Sequence, residues 1–288
     1  MNIIQIYKQF PKQEDCLAHL EKVRWSNKPK CPYCKSQRAT KTKEDHRHHC
    51  NSCNTTYSVT VGTIFHKTKL DLQKWFLGIS LMLNAKKGIS ARQLARDIEV
   101  NRNTAWYMLM RLRKAFLESP ELLNGIFEVD ETYIGGKDKN KHNDKKRGGT
   151  QGRNTKDKTA VFGVLQRDGK VTAQKVKNVQ GKTLLNIISR HVEKGSEIMS
   201  DQWAAYKRLS EKFDHLVVDH GKGEYVNGKC HTNTLEGFWS LFKRGIVGQY
   251  HQISDKYIDR YLDEFSFRYS NRNNDLIFDL TIQKALGV

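Results

Sequence analysis

Hydrophobic positions along this 288-residue chain change period near residue 125. Before that point they recur every three or four residues. Cys16, Leu17, Leu20 and Val23 share one helical face within 11–25, and Leu72, Trp75, Phe76, Ile79 and Leu83 follow the spacing of an amphipathic helix. Lys86-Lys87-Gly88 ends that helix. Ser90-Ala-Arg-Gln93 has the form of a capping box and opens a second, short helix with Leu94, Ala95 and Ile98 inward. After a turn at 100–103, a third helix buries Ala105, Leu109, Leu112 and Phe116. Its other side carries Arg102, Tyr107, Arg111 and Lys114, so the three helices read as a helix-turn-helix module with a basic, aromatic face offered to a DNA groove.

Beyond Gly125 short apolar runs replace the helical pattern. Residues 126–134, 160–165 and 171–176 read as strands, the last two joined at the hairpin signal Asp168-Gly169. A helix over 182–192 turns Leu184, Ile187, Ile188 and His191 inward; a strand at 197–201, a helix at 203–213 and a strand at 215–218 follow. A hairpin leading into strand, helix and strand is the plan of an α/β domain of ribonuclease-H-like fold, a mixed sheet with flanking helices. The chain then divides into an N-terminal helix (1–25), a small cysteine-containing module (26–62), the helix-turn-helix (63–120), the α/β domain (121–250) and a C-terminal helical segment (251–288). Residues 137–158, rich in Lys, Arg, Asn and Gly, read as a mobile, phosphate-binding loop.

Charge narrows the partner. The formal net charge is +19, which suits a protein that sits on an anionic polymer or an anionic membrane surface. No apolar run reaches the roughly 18 residues of a spanning helix, and Met1-Asn-Ile-Ile-Gln lacks a signal-peptide pattern. Nucleic acid in a cytoplasmic, nucleoid-associated setting is therefore the expectation. Cys31-Pro-Tyr-Cys34 and Cys50-Asn-Ser-Cys53, fifteen residues apart, have the spacing of a four-thiolate zinc ribbon whose ion is structural, because four thiolates leave no open coordination position. His46, His48 and His49, beside the second pair, are expected to face solvent or phosphate.

Three acids carry the candidate chemistry. Asp130 and Asp201 each end an apolar run, and Glu236 lies on a helix whose apolar stripe is Leu235, Phe238, Trp239 and Phe242. Glu236, Ser240 and Lys243 fall on another face of that helix. Carboxylates that a fold can converge are what two hard cations need to activate a nucleophile and stabilise a leaving oxygen on phosphorus. Alternatives stay open at each position. Glu131 competes with Asp130 through a one-residue change of strand face, Asp201 could cap the following helix, and Glu236 could close a capping box with Asn233. His231 and Asn233 are candidate neighbours of the third acid.

The motifs Val129-Asp-Glu-Thr-Tyr-Ile-Gly-Gly136, Ser200-Asp-Gln-Trp-Ala-Ala-Tyr206, His231-Thr-Asn-Thr-Leu-Glu-Gly-Phe-Trp-Ser-Leu-Phe-Lys-Arg-Gly245 and Tyr261-Leu-Asp-Glu-Phe-Ser-Phe-Arg-Tyr269 resemble those of the ISXO-type insertion-sequence transposases of bacteria and archaea. The resemblance spans nearly the whole chain. It implies a zinc ribbon followed by a DDE transposase domain that cleaves element ends and joins them to target DNA, with two Mg²⁺ ions, for which Mn²⁺ can stand in. It implies Asp130 and Asp201 as the first two ligands and either Glu236 or Asn233 as the third; Lys243, seven residues after Glu236, matches the basic residue that follows the third acid in many such enzymes and favours Glu236. Lys243 and Arg244 would hold phosphates, the N-terminal modules would recognise terminal inverted repeats, and joining two ends implies a homodimer on DNA. A DNA-binding regulator with a non-catalytic domain, or a nuclease without strand transfer, are the alternatives.

Overall fold

The computed structural model describes residues 1–26, 28–42, 46–135, 143–145, 158–218, 226 and 228–288. Most of the basic segment 137–158 therefore lies outside the described residues. Among those described, no helix is long and apolar enough to cross a membrane. The chain divides into two units, Met1–Phe116 with Asn273–Val288, and Leu117–Arg272.

In the first unit the expected N-terminal helix is two helices, α1 (Ile3–Gln9) and α2 (Gln13–Trp25). Asn2 and Gln5 form a reciprocal capping box at the start of α1. A three-stranded antiparallel sheet follows, β1 (Ala39–Lys41), β2 (His48–Cys50) and β3 (Thr55–Tyr57). Then come α3 (Leu72–Asn84), α4 (Ala91–Asp97) and α5 (Arg102–Ala115), within two residues of the ends read from the sequence. Helix α3 buries more than one stripe, because α1, α2, α5 and α9 (Ile277–Leu286) all pack on it; Leu77, Gly78 and Met82 are buried beside the expected face. The capping box at Ser90 forms by half. The Ser90 hydroxyl accepts from the Gln93 N–H, but the Gln93 amide turns to Asp97 and Arg96 instead of back to the cap. Helix α9 belongs to this unit while α8 (Ile258–Ser270) belongs to the other, so the segment read as one C-terminal piece is shared between two cores.

The second unit is built on five strands in the order β6-β5-β4-β7-β8. Strand β4 (Ile126–Ile134) pairs antiparallel with β5 (Thr159–Gln166), which pairs antiparallel with β6 (Val171–Lys175). On its other edge β4 pairs parallel with β7 (Glu197–Asp201), and β7 pairs parallel with β8 (Asp214–Val218). This mixed sheet is that of the ribonuclease-H-like fold. Helix α6 (Gly181–His191) covers one face, where Phe127, Val129, Phe162, Ile188 and Ile198 form a core. Helices α7 (Asn233–Gly245) and α8 cover the other, with Val161, Leu235, Phe238, Phe242 and Phe265.

Residues 203–213, read as an α-helix, wind instead as 3₁₀ turns over Ala204–Glu211. A three-residue period puts Trp203, Tyr206 and Leu209 on one side, and all three pack into the α6-side core. Helix α7 comes unusually close to the sheet above Gly163. A Cβ there would lie 2.6 Å from a ring carbon of Trp239, so glycine is what lets the helix settle. Gly163→Ala should lower stability by about 1–3 kcal/mol, the usual cost of forcing extra volume into a packed interior. Urea unfolding of the two proteins measures it.

Candidate functional site

Alternation along β4 decides which acid faces which side. Phe127 and Val129 belong to the α6-side core, Ile134 to the α7-side core, and odd and even positions of a strand point to opposite faces. Asp130 therefore points toward α7 and Glu131 away from it. Glu131 is buried and accepts a 2.6 Å hydrogen bond from the Tyr206 hydroxyl. Burial raises the Tyr206 pKa well above its ordinary value, so the phenol stays a donor.

Asp201 arrives beside Asp130 through strand register. Ile126 lies opposite Glu197 and Glu128 opposite Met199 in the parallel β4–β7 pair, so the same register continued by two residues sets Asp130 against Asp201. Asp201 does not cap the segment after it, whose N-cap is Trp203. Glu236 comes from α7, which begins one residue earlier than a capping box at Asn233 requires. Thr232 is the N-cap, and its hydroxyl donates to a Glu236 carboxylate oxygen at 2.9 Å. Asn233 is exposed, one turn before Glu236.

Asp130, Glu131, Thr132, Glu236, Trp239, Ser240, Lys243 and Arg244 line an open cleft of about 450 Å³. Its electrostatics show how near the acids are. The Asp130 carboxyl is pushed up to about 8, first by burial and then by the charges of Glu131, Asp201 and Glu236. Partial burial pulls the Lys243 ammonium below its ordinary range, while Asp130 opposes that shift. Three converging carboxylates that repel one another, with an ammonium at the rim, fit divalent cations bound through oxygen. Among the described residues only the four cysteines form a group of three or more ligands whose atoms lie within 4.8 Å of one another.

The helix that carries Glu236 is held by a residue the motifs leave unmarked. Glu128, fully buried on the same face of β4 as Asp130, accepts from the Thr234 hydroxyl and from the Leu235 N–H, each at 2.9 Å. It thereby satisfies an N-terminal N–H of α7 from a distant strand. Arg167, from the β5–β6 hairpin, donates to the same carboxylate at 2.9 Å and to the carbonyls of Lys229 and His231 at 2.8 and 3.0 Å. His231 lies 3.3 Å from Glu128 and so neighbours this pair. A glutamate two residues before Asp130, inside an otherwise apolar run, is the one sequence signal of this role.

In the first unit, the Cys31 and Cys53 sulfurs are 3.7 Å apart and those of Cys34 and Cys50 3.5 Å apart. Those separations approach the ~3.8 Å edge of a tetrahedron with metal–sulfur bonds of about 2.3 Å. The histidines do not share one role. His48 is buried, bonded to Glu21 at 2.9 Å and stacked on Tyr57, whereas His46 lies 3.7 Å from Glu14. On α5, Arg102, Tyr107 and Lys114 are exposed, together with Trp106. Arg111 differs from expectation: it is half-buried, donates to the carbonyls of Ile64 and His66, and lies over the Tyr107 ring. Its donors brace the connection into α3.

Comparison with known proteins is consistent across the chain. The ISXO2-like transposase domain matches residues 122–270 and the transposase zinc-ribbon domain residues 11–56. An uncharacterised protein in transposable element ISH50 of Halobacterium salinarum is 29% identical over 273 residues, covering 91% of this chain and 92% of that protein. Among solved structures, the Mos1 transposase paired-end complex with left transposon end has 14% identity, a TM-score of 0.30 and coverage of 74% and 75% of the two chains. A simian T-cell lymphotropic virus intasome in complex with a PP2A regulatory subunit has 12% identity and a TM-score of 0.30; the match covers 67% of this chain and 65% of that one.

The raised Asp130 pKa sets a pH dependence for the metal-free protein. Between its ordinary value of 3.8 and about 8, folded Asp130 keeps a proton that the unfolded chain has released, so stability falls as pH rises through that window. Denaturation with chelator present, at pH 5 and pH 8, should show this loss, and Asp130→Asn should flatten it.

Proposed function

The chain belongs to the ISXO2-like transposase family, and we propose that its cleft cuts and rejoins phosphodiesters with Asp130, Asp201 and Glu236 as ligands of two Mg²⁺ ions. The observation that carries this reading is the meeting of Asp130 from β4 and Glu236 from α7, with Lys243, on one cleft, beside the strand register that leads Asp201 to Asp130. Bound there, the ions would supply a nucleophile of lowered pKa and charge stabilisation for the departing 3′ oxygen. Glu236 is preferred over Asn233 because it lines the cleft with Lys243.

The chain's own groups do the rest. Asp130 would hold a cation as the carboxylate, a form that neighbouring positive charge favours. Glu236 would hold a cation through the carboxylate that the Thr232 hydroxyl hydrogen-bonds. Lys243 and Arg244, three and four residues after Ser240 and so on the same rim, hold the phosphates either side of the scissile bond. Glu131, next to Asp130 in the cleft lining, is held by its bond to Tyr206, which steadies the segment that follows Asp201. In the first step water attacks the phosphodiester at the element end and the 3′ oxygen departs, taking up a proton; in the second, that freed 3′-hydroxyl attacks a target phosphodiester, whose own 3′ oxygen departs with the proton.

The four cysteines hold one structural Zn²⁺, supported by their sulfur spacing. The ribbon and the α4–α5 pair read terminal repeats, supported by the exposed Arg102, Trp106, Tyr107 and Lys114. Two ends need two active sites, so the working form is a homodimer on DNA, in the compartment that holds the chromosome.

Asp201→Asn should abolish Mg²⁺-dependent cleavage of a labelled element end while leaving retardation of that DNA in a gel unchanged; retained cleavage would remove Asp201 from the site. Joined products in the wild type distinguish a transposase from a nuclease. Cys34→Ser should lose the zinc seen by atomic absorption and weaken DNA binding, with the catalytic unit still folded.

A further inference from the structure

The covalent and hydrogen-bonded path between the first and third acids is short. Asp130 and Glu128 are two residues apart on one face of a strand paired on both edges. Glu128 accepts from the Leu235 N–H, and Glu236 is the next residue. One strand step, one hydrogen bond and one helix step therefore fix where Glu236 stands relative to Asp130.

The apolar contacts of α7 cannot do this alone. Leu235, Phe238, Trp239 and Phe242 choose which side of the helix faces the sheet. Packing of that kind is non-directional, whereas hydrogen bonds to a fixed carboxylate define a position along the axis. Arg167 makes the constraint two-sided. It is bonded to Glu128 through Nε, and its two terminal nitrogens hold the carbonyls of Lys229 and His231 just before the helix begins. Thr234 adds a second bond from the first turn of α7 to Glu128.

We propose that Arg167 and Glu128 are a positioning pair that sets the spacing of Glu236 from Asp130 and through it the affinity of the site for divalent cations. This rests on the assignment of those acids as metal ligands. Both act through the placement of α7, whose start they hold. Lysine at 167 keeps the charge but offers no planar fork to reach the carboxylate and two carbonyls together. Valine at 234 removes a single donor at nearly constant volume.

The test is calorimetric titration of Mn²⁺ into the full-length wild type, Arg167→Lys, Thr234→Val and Asp201→Asn, with circular dichroism as the check on folding. Arg167→Lys should weaken Mn²⁺ binding by roughly tenfold and Thr234→Val by a smaller factor, the scale found when groups that orient metal ligands are changed. Cleavage by both should recover as Mn²⁺ is raised, a change in the metal requirement more than in the maximal rate. If Arg167→Lys does not fold, Thr234→Val decides. Folded variants that bind Mn²⁺ as tightly as the wild type overturn the positioning role while leaving the ligand assignment intact. A wild type no tighter than Asp201→Asn overturns the assignment, and this proposal with it.

Discussion

A carboxylate sealed from water is unfavourable by several kcal/mol unless charge and hydrogen bonds replace its hydration, and removing one partner of such a pair typically destabilises by about 3–5 kcal/mol. Glu128 meets that condition with three donors from two places in the chain, the β5–β6 hairpin and the first turn of α7. The pairing is compulsory for Glu128, and the site inherits its geometry. Helix α7 begins where the Leu235 N–H and the Thr234 hydroxyl meet that carboxylate. Glu236, Ser240, Lys243 and Arg244 then follow at fixed distances along its length. Gly163, opposite Asp130 in the β4–β5 register, allows Trp239 to descend onto the sheet and brings the helix within reach of the acids.

Strand β4 organises both faces. Toward α7 it presents Glu128 and Asp130, one fixing a helix and the other lining the cleft. Toward α6 it presents Glu131, whose bond to Tyr206 anchors the 3₁₀ segment leaving Asp201. Two of three neighbouring acids are thus spent on architecture. The third, Asp130, is left partly exposed and lines the cleft, where burial and the charges of neighbouring acids raise its proton affinity.

Much of this was readable beforehand because it rests on local periodicity. The strand 126–134, the strand 197–201 and the helix beginning near 233 follow from apolar runs and stripes, and the clustering of the four cysteines follows from their spacing. What the sequence left open depends on three-dimensional neighbours. The choice between Asp130 and Glu131 turns on which face of β4 meets α7, a fact of packing. The 3₁₀ winding of 204–211 follows from a core that accepts Trp203, Tyr206 and Leu209. Arg111 looked like part of a basic surface because helical spacing cannot reveal that the carbonyls of Ile64 and His66 lie within its reach. Glu128 carried a signal, charge inside an apolar strand, but its partners sit 39 and more residues away.

The concentration of Glu128, Asp130 and Glu131 within four consecutive positions has a consequence for how this chain can change over time. Substitutions touch one role each. Insertion or deletion of a single residue inside β4 would turn every later side chain to the opposite face, exchanging the acid of the cleft with the acid that binds Tyr206 and separating both from the one that seats α7. The strand is therefore open to drift in its letters at the apolar positions and closed to drift in its length, and length variation among descendants of this sequence has to be accommodated outside 126–134.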